Sequence, residues 1–153
     1  MDEVRSRNMR AIRGKDTKPE LIVRKMLHRS GFRYRLQAKG LPGKPDLVIK
    51  KYKLAIFVQG CFWHWHGCEF FRVPKTRTDW WVDKLSQNRK RDERNLSVLL
   101  SMGWRVLWIW ECHLKKHKNA GADGILETIN SLIETKNVKN DTRFVEFPSR
   151  QSD

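Results

Sequence analysis

The stretch that decides the fold is "KPDLVIKKYKLAIFVQ", residues 44–59. Two short runs in it, residues 46–50 and 53–59, are rich in β-branched and other apolar side chains, and a polar "KKYK" separates them. This arrangement is typical of two β-strands joined by a short connection. The preceding "GLPGKP", residues 40–45, has the glycine and proline content of a turn. The stretch therefore predicts a sheet, for which the flanking sequence must supply further strands and covering helices.

Helical patterns flank this stretch on both sides. On the N-terminal side, "TKPE" at residues 17–20 has the form of a capping box, in which Thr17 accepts from an early backbone N–H and Glu20 reaches back to the cap. The helix that follows is expected to bury a stripe made of Ile22, Val23, Met26 and Leu27. On the C-terminal side, one helix is predicted from Asp79 to about Met102 and another from about Gly124 to Thr135.

Three further segments have strand character. "FRYRLQ" at residues 32–37 alternates as a strand does, and "WRVLWIW" at residues 104–110 is the most apolar candidate, which we expect inside the sheet. "FVEF" at residues 144–147 adds a candidate short strand near the C-terminus. The order helix, three strands, helix, strand, helix predicts a single-domain α/β protein with a mixed β-sheet flanked by helices.

The charge of the chain favours a polyanionic partner. Its 153 residues carry a formal net charge of +15, which fits nucleic acid or an anionic membrane surface. No apolar run approaches the roughly 18 residues of a spanning helix, and the N-terminus lacks a secretory signal, so we expect a cytoplasmic protein that binds nucleic acid, with no membrane partner. Residues 1–15, with Arg10 and Arg13, form a basic arm or a solvated, frayed terminus. The domain is expected to span residues 16–135, followed by a polar tail at residues 136–153.

Directly after the second strand comes "GCFWHWHGCEFF", residues 60–71, with two cysteines, two histidines and five aromatic rings. Structural zinc sites use four Cys or His ligands, commonly with some of them close together on one tight loop. The alternative is that the three cysteines of the chain are buried thiols that behave as small hydrophobic residues. Spacing alone does not choose between the histidines. The candidate ligands are Cys61, Cys68, Cys112 and either His64 or His66, with His113 as a third histidine.

A second candidate site centres on Asp46, which follows a proline turn and opens a strand. A carboxylate at a strand end suits Mg²⁺, which prefers a few carboxylates, backbone carbonyls and substrate phosphate. An ordinary turn aspartate is the simpler interpretation. The nuclease pattern PD…(D/E)xK is incomplete, because "FVQ" at residues 57–59 stands where an acidic residue and a lysine are expected. Glu20 and Asp92 are the other carboxylates of interest, although each also fits a solvated helix face.

Six motifs connect the two candidate sites: "RNMRAIRGKDTKPE", "LPGKPDLVI", "IFVQGCFWHWHGC", "VPKTRT", "QNRKRDERN" and "GWRVLWIWEC". In this order and spacing they resemble the very short patch repair (Vsr) endonucleases, over about residues 5–115. The resemblance implies a PD-(D/E)xK restriction-endonuclease-like fold with a structural zinc site. It also implies a Mg²⁺-dependent enzyme, expected to be a monomer, that nicks double-stranded DNA 5′ of the thymine in T·G mismatches left by deamination of 5-methylcytosine. General mismatch-repair proteins are the implied protein partners.

The resemblance also implies catalytic roles for individual residues. Asp46 corresponds to the principal ligand of the catalytic Mg²⁺, expected as two ions, and the backbone carbonyl of Val58 to a second ligand. Glu20 corresponds to an acidic residue that supports the metal and its waters. His64 matches the histidine that helps to activate the attacking water, and Asp92 matches the carboxylate that orients this histidine.

The same resemblance assigns the aromatic and sulfur residues of the loop, and it shows one departure. Phe62, Trp63 and Met9 match side chains that wedge into the base stack beside the mismatch. The family often has Thr-His where this chain has Val58 and Gln59; a main-chain ligand survives the first change, while the second removes a proton-handling group. The implied zinc ligands are Cys61, His66, Cys68 and Cys112.

Two functions compete with a mismatch endonuclease. The first is a zinc-braced DNA-binding protein without catalysis, which the basic arm and the aromatic loop fit equally well. The second is a nuclease of the same fold with another DNA target. The carboxylates distinguish a nuclease from the DNA-binding protein without catalysis, because a protein that only binds DNA gains nothing from the negative charge of Asp46 in a positive groove. Core packing is the alternative for Phe62 and Trp63, and it is the expectation for Trp65, Trp80, Trp81, Trp104, Trp108 and Trp110.

Overall fold

The computed structural model describes residues 17–36, 39–69, 71–134 and 143–147, apart from the side chains of residues 116–123. The basic arm, with Met9, Arg10 and Arg13, lies outside the described residues, as does most of the polar tail. The expected DNA contacts of the arm therefore stay predictions.

Three helices are present in the described part of the chain: α1 (Lys18–Arg29), α2 (Thr78–Ser101) and α3 (Glu111–Glu134). The predicted capping of α1 is confirmed in one half, since Thr17 Oγ1 accepts from the Glu20 N–H at 3.4 Å and Pro19 lies in the first turn. The carboxylate of Glu20 pairs with Arg24 at 2.8 Å. The Glu20 side chain is therefore held on the side of α1 by a residue one turn further along.

The sheet has the order β1-β2-β3-β4-β5. Its first three strands are antiparallel, whereas β3, β4 and β5 are parallel to one another. Parallel neighbours need a long crossover, and α2 supplies the one between β3 and β4. The mixed α/β sheet that we predicted is thus confirmed. The strands are β1 (Arg35–Leu36), β2 (Leu47–Ile49), β3 (Leu54–Gln59), β4 (Arg105–Trp110) and β5 (Phe144–Phe147), with a 3₁₀ turn at Lys50–Tyr52 between β2 and β3.

The two faces of the sheet are covered by different helices. On one face, which we call the α1/α3 face, Ile56 and Ile109 of the strands pack with residues of α1 and α3. On the other, the α2 face, Trp108 and Trp110 pack with Leu99 of α2 and with cysteines of the loop after β3. Alternate residues of a strand point to opposite faces, so each buried strand contributes to both cores. The strand β4, expected inside the sheet, has five fully buried residues and lies between β3 and β5.

Several expectations need correction. The last helix begins at Glu111, directly after β4, and not near Gly124. Leu114, in the first turn of this helix, packs into the α1/α3 core, so the segment directly after β4 is anchored as part of α3. Among the described residues of the "FRYRLQ" segment, which end at Leu36, Arg35 and Leu36 alone pair with the three-residue β2 and form a short edge. Trp80 and Ile22 are 47 % and 39 % exposed, so neither is a core residue.

Candidate functional site

The first group of site residues lies where β2 begins and β3 ends. Asp46 directly precedes β2, and its Oδ2 accepts a hydrogen bond of 2.8 Å from the backbone N–H of Val58. The antiparallel pairing of Leu47 with Ile56 brings these two strand ends together. The Asp46 carboxylate is therefore held against the very residue whose backbone carbonyl is the second expected metal ligand.

Glu20 reaches the same region from the start of α1. Its side chain is only 2 % exposed, which excludes a solvated helix face, and it is ion-paired with Arg24. A buried carboxylate is retained at little cost only when it is paired or binds a metal. The charges of Glu20 and Arg24 both act on Asp46. The two carboxylates thus belong to one electrostatic site.

Burial raises the pKa of Asp46 to about 6, from an ordinary value near 3.8. The hydrogen bond from Val58 and the nearby His64 and Arg24 lower this pKa, while the negative charge of Glu20 raises it further. Burial is the largest of these effects because an anion loses its hydration there. The Asp46 carboxylate therefore lacks a full set of counter-charges, as a ligand that awaits a cation would.

This pKa predicts how Asp46→Asn changes stability with pH when no Mg²⁺ is added. Between about pH 4 and pH 6 folded Asp46 holds a proton that the unfolded chain has lost, so stability falls as pH rises through this window. Asparagine cannot ionise but can still accept from Val58. We expect the variant to gain about 1 to 3 kcal/mol over the wild type at pH 7 and almost nothing at pH 4, measured by urea unfolding. If the difference in free energy of unfolding between Asp46→Asn and the wild type were the same at pH 4 and pH 7, the raised pKa of Asp46 would be contradicted.

The second group joins the loop after β3 to α2. His64 Nδ1 lies 2.5 Å from Asp92 Oδ2, which accepts the ring N–H and leaves Nε2 on the opposite side of the ring. Asn88, one helical turn before Asp92, donates from Nδ2 to the backbone oxygen of Trp63 at 3.1 Å. One side of α2 thus fixes two consecutive loop residues. Asp92 was expected to orient His64, and the structure brings them together; Asn88 was missed, although its spacing from Asp92 was visible.

The third group is a cluster of thiols and one imidazole. The ligand atoms of its four residues all lie within 4.8 Å of one another, which is close enough for a metal ion to bind all of them. Cys112 Sγ and His66 Nδ1 are 3.5 Å apart, and the His66 ring stacks on Trp110 at 4.1 Å between centroids. His64 lies outside the cluster and His113 packs against Phe147. The members are the four implied zinc ligands Cys61, His66, Cys68 and Cys112.

Cys61 and Cys112 are protonated at neutral pH in the absence of a metal. Burial raises the pKa of Cys112 to about 11, and burial together with the neighbouring thiols raises the pKa of Cys61 as well. A cation would have to displace these protons, so binding should weaken at low pH. Glu111 Oε1 accepts from the Cys61 N–H at 3.2 Å and so ties the loop to the start of α3. Sequence reasoning missed Glu111, because its contact spans the β3–β4 crossover.

The aromatic residues of the loop are neither free nor fully in the core. Phe62 and Trp63 are half-buried and contact one another edge to face at 5.1 Å. Both also contact Trp81 on α2, at 5.3 and 6.0 Å. Trp81 is buried, as expected, whereas Trp80 beside it is exposed and carries the Arg77 guanidinium over its ring at 4.9 Å. The loop rings therefore rest on the first turn of α2 with part of their surface open.

No helix in the described part of the chain is both long enough and apolar enough to cross a membrane.

Comparison with known proteins links this site to one family. The sequence model of a family described as DNA mismatch endonuclease Vsr matches residues 1–70. The chain is 43 % identical over 129 residues to the DNA mismatch endonuclease Vsr of Escherichia coli (strain K12), which covers 84 % of this chain and 83 % of that protein.

Two further relatives are described as nicking enzymes. The type II nicking enzyme V.XorIIP of Xanthomonas oryzae pv. oryzae is 48 % identical over 106 residues, 69 % of this chain and 78 % of the relative. The type II nicking enzyme V.NmeAIP of Neisseria meningitidis is 47 % identical over 111 residues, 72 % of this chain and 79 % of the relative. In all three relatives the similarity covers most of both chains.

Proposed function

Because the chain belongs to the Vsr family of DNA mismatch endonucleases, and is thus a DNA endonuclease that acts on phosphodiester bonds, we propose that it nicks one strand 5′ of the thymine of a T·G mispair. The nick would start very short patch repair of deaminated 5-methylcytosine. The observation that carries the proposal is that the Asp46 carboxylate interacts electrostatically with His64 on a loop with half-buried aromatic rings, while Asp92 of α2 holds His64. Such a site combines hydrolytic groups with side chains able to enter a base stack.

The residues around Asp46 fit a Mg²⁺ site. Asp46 and the Val58 carbonyl would hold the ion, expected as one of two, and Glu20 would support its waters. These are oxygen donors, which Mg²⁺ prefers, and the raised pKa of Asp46 reflects an uncompensated negative charge that a cation would relieve. When bound, Mg²⁺ supplies positive charge for the phosphate and the leaving oxygen.

His64 is proposed to accept the proton of the attacking water. Its Nδ1 donates to Asp92, which fixes the tautomer and leaves Nε2 as the acceptor. A carboxylate in this position also stabilises the imidazolium that forms. Asn88 donates to the backbone oxygen of Trp63, the residue before His64, and so fixes the backbone from which the ring extends. The base is therefore oriented by two contacts from α2.

The Cys/His cluster is proposed to bind zinc in a structural role. Four protein ligands complete a tetrahedral site and leave no open position for substrate. The ion would connect the loop after β3 with the start of α3, which Glu111 already ties together. Bracing the loop in this way reduces the entropy that Phe62 and Trp63 lose when they bind DNA.

The aromatic loop is proposed to select the mispair. Insertion of apolar side chains between bases costs a few kcal/mol per step, and least at a mismatch. Phe62 and Trp63 would act from the loop, and Met9 from the basic arm with Arg10 and Arg13.

We also propose the PD-(D/E)xK type of fold and an endonuclease domain at residues 16–135, preceded by the basic arm and followed by the polar tail. A monomer working on DNA in the cytoplasm, in contact with general mismatch-repair proteins, completes the proposal.

Two alternatives keep a supporting observation. A zinc-braced DNA-binding protein without catalysis would use the cluster and the net charge of +15, but it gives no role to the Asp46 carboxylate with its raised pKa or to the His64–Asp92 pair. A nuclease of the same fold with another DNA target is favoured by Gln59, which replaces a frequent family histidine beside the proposed metal site.

The decisive experiment uses two DNA duplexes that differ in one base. The protein is incubated with Mg²⁺ and a T·G duplex or its matched T·A partner, with each strand labelled in turn. We expect a single nick 5′ of the mispaired thymine and no cut in the matched duplex. Equal cutting of both duplexes would support the other nuclease, and binding without any cut would support the non-catalytic protein.

Removing the proposed base should slow nicking without loss of binding. His64→Ala is expected to reduce the single-turnover rate by about 10²- to 10⁴-fold, and Asp92→Asn by about 10-fold or more, since the histidine then lacks its orienting acceptor. The affinity for the T·G duplex, measured with Ca²⁺ to prevent cutting, should change little. If Asp92→Asn were fully active in this assay, the proposed pair would have no catalytic role.

Binding to the T·G duplex should weaken steeply with salt. Neutralising only about three phosphates lowers affinity roughly 40-fold between about 50 and 200 mM salt, because counterions are released. Lys75 lies on the exposed loop before α2. Lys75→Gln should reduce the slope of log affinity against log salt concentration by about one, the amount expected for one lost phosphate contact. Lys51→Gln, on the 3₁₀ turn at the other end of the strands, serves as the matched control and should leave the slope unchanged. A flat salt response would contradict an electrostatic DNA surface.

A further inference from the structure

The last residue of β3, Gln59, is a buried amide without an evident structural task. It is only 4 % exposed, and no acceptor in the described part of the chain is hydrogen-bonded to its Nε2. A buried donor that loses water and gains no partner costs about 1 to 3 kcal/mol. Most buried polar groups in native proteins are paired, so an exception calls for an explanation. A ligand that brings a hydrogen-bond acceptor to Gln59 Nε2 would be such an explanation.

The strand pattern places Gln59 on the same face as α2. Ile56 and Val58 pack with the α1/α3 core, whereas Phe57 packs with the core of the α2 face. Successive residues of a strand alternate between faces, so Gln59 follows Phe57. The amide therefore belongs to the side of the sheet on which α2 lies.

Along that face, Gln59 lies at the level of Asp92. The side chains of Phe57 and Asn95 both lie beside Gly43. A Cβ added to Gly43 would be 3.1 Å from Phe57 Cε1 and 3.2 Å from Asn95 Nδ2, so these two side chains are neighbours. Asp92 binds His64, which follows β3, so α2 runs antiparallel to this strand. Two strand residues span about 6.6 Å, which corresponds to about four residues of a helix. Gln59, two residues after Phe57 on β3, is therefore expected to lie opposite the part of α2 that is about one turn before Asn95, near Asp92.

Asp46 belongs to the same face of the sheet as Gln59. Leu47 and Ile49 pack with the α1/α3 core, so alternation directs the preceding Asp46 to the α2 face. Its carboxylate accepts from the backbone N–H of Val58, the residue directly before Gln59. The Gln59 amide thus lies on the same face of the sheet as the proposed metal carboxylate and the helix that carries Asp92.

We propose that Gln59 donates a hydrogen bond from Nε2 to a non-bridging oxygen of the phosphodiester that is cut. This inference rests on the proposed function, since it uses the phosphate that the proposed site would bind. A phosphate oxygen is an anionic acceptor, which makes strong hydrogen bonds with donors held in place. The donor is pre-oriented by burial, so no reorganisation is needed when negative charge develops on the phosphate.

The amide also differs chemically from the histidine that the family often carries here. An imidazole donates or accepts according to its protonation state, whereas a carboxamide N–H₂ donates at every pH. Gln59 therefore cannot take up or release a proton in the reaction. Its task is to position the phosphate and to stabilise its charge, and proton transfer is left to His64.

The experiment compares two substitutions of Gln59 in the full chain. Gln59→Met keeps the length of the side chain and removes the donor, while Gln59→His keeps a donor. The single-turnover rate is measured on whichever mismatched duplex the wild type nicks, with the affinity measured separately in Ca²⁺. We expect Gln59→Met to lower the rate about 10- to 100-fold and the affinity much less, and Gln59→His to restore most of the rate.

A modified substrate then identifies the acceptor. Duplexes with a single phosphorothioate at the cut position, as separated Rp and Sp diastereomers, replace one non-bridging oxygen by sulfur, a poorer acceptor. For one diastereomer the ratio of the wild-type rate to the Gln59→Met rate should fall towards 1, and for the other it should stay high. Unchanged ratios for both diastereomers would overturn the proposal.

Thermal unfolding without Mg²⁺ or DNA separates this role from a purely structural one. An unpaired donor gives no stability, so Gln59→Met should melt at the wild-type temperature or above it. A clearly lower melting temperature would show that Gln59 has a partner in the free protein and would overturn the inference. If the wild type did not prefer T·G duplexes, the proposed function would be contradicted. The Gln59 variants could still be compared, because their rates are measured on whichever mismatched duplex the wild type nicks.

Discussion

Asp46→Asn is expected to abolish nicking while DNA binding persists. The substitution removes the negative charge that would hold the catalytic Mg²⁺, and with it several kcal/mol of charge stabilisation in the transition state. A loss on the order of 10³-fold or more in the single-turnover rate follows, since each factor of ten corresponds to about 1.4 kcal/mol. The rate is measured on the T·G duplex at saturating protein, so that weaker binding cannot imitate a lost chemical step.

The fold should survive this change, which makes the result interpretable. Asparagine retains an oxygen that can accept from the Val58 N–H, the contact that ties the two strand ends together. The variant is even expected to be more stable than the wild type at neutral pH without Mg²⁺. Asp83→Asn, at an exposed position of α2, is the matched control for the loss of one carboxylate and should nick normally. Nicking by Asp46→Asn at the wild-type rate would move the metal site elsewhere.

Cys68→Ser is expected to remove the zinc that the cluster is proposed to bind and to destabilise the protein severely. Structural zinc contributes about 10 to 16 kcal/mol in small sites, which is comparable to the whole free energy of unfolding of a typical domain, about 5 to 15 kcal/mol. The remaining three ligands would have to hold the ion without the fourth. We therefore expect a large fall in the melting temperature, or failure to fold at 37 °C, together with loss of zinc from the purified protein.

A chelator distinguishes the loss of zinc from the loss of a thiol. Wild-type protein treated with a chelator should melt like Cys68→Ser, and the same treatment should have no further effect on the variant. His28→Ala, at an exposed site on α1, is a control for the removal of one candidate ligand type and should keep its zinc. If Cys68→Ser retained its metal and melted with the wild type, the cluster would be a group of buried thiols.

Local patterns predicted most of the secondary structure, for physical reasons that act over a few residues. Thr17 and Pro19 favour a helix start wherever they occur, and the apolar run from Arg105 to Trp110 has to be buried on both faces. The start of α3 was misjudged because its first turns are polar, apart from Cys112 and Leu114. Cys112 packs with the core of the α2 face and Leu114 with the α1/α3 core, and no local pattern contains these contacts.

Exposure was harder to predict than helix or strand. Trp80 and Trp81 are neighbours of the same type, yet Trp81 is 6 % exposed and Trp80 47 %. The direction of α2 relative to the loop after β3 decides which of the two is covered, and no local pattern contains that direction. The same holds for Glu20, whose burial depends on where α1 meets the ends of β2 and β3.

By itself the sequence determined the family and the residue types of the candidate site, since six motifs in order specify residues at fixed separations along the chain. Only the tertiary structure decided which of them meet: the antiparallel β2–β3 pair joins Asp46 to Val58, and the crossover through α2 returns Asp92 to His64 and Cys112 to Cys61. Tertiary structure alone also left Gln59 buried without an acceptor among the described residues. The reason is that hydrogen bonds and metal coordination act over about 3 Å, and contacts this short between distant residues exist only once the sheet has set their distances.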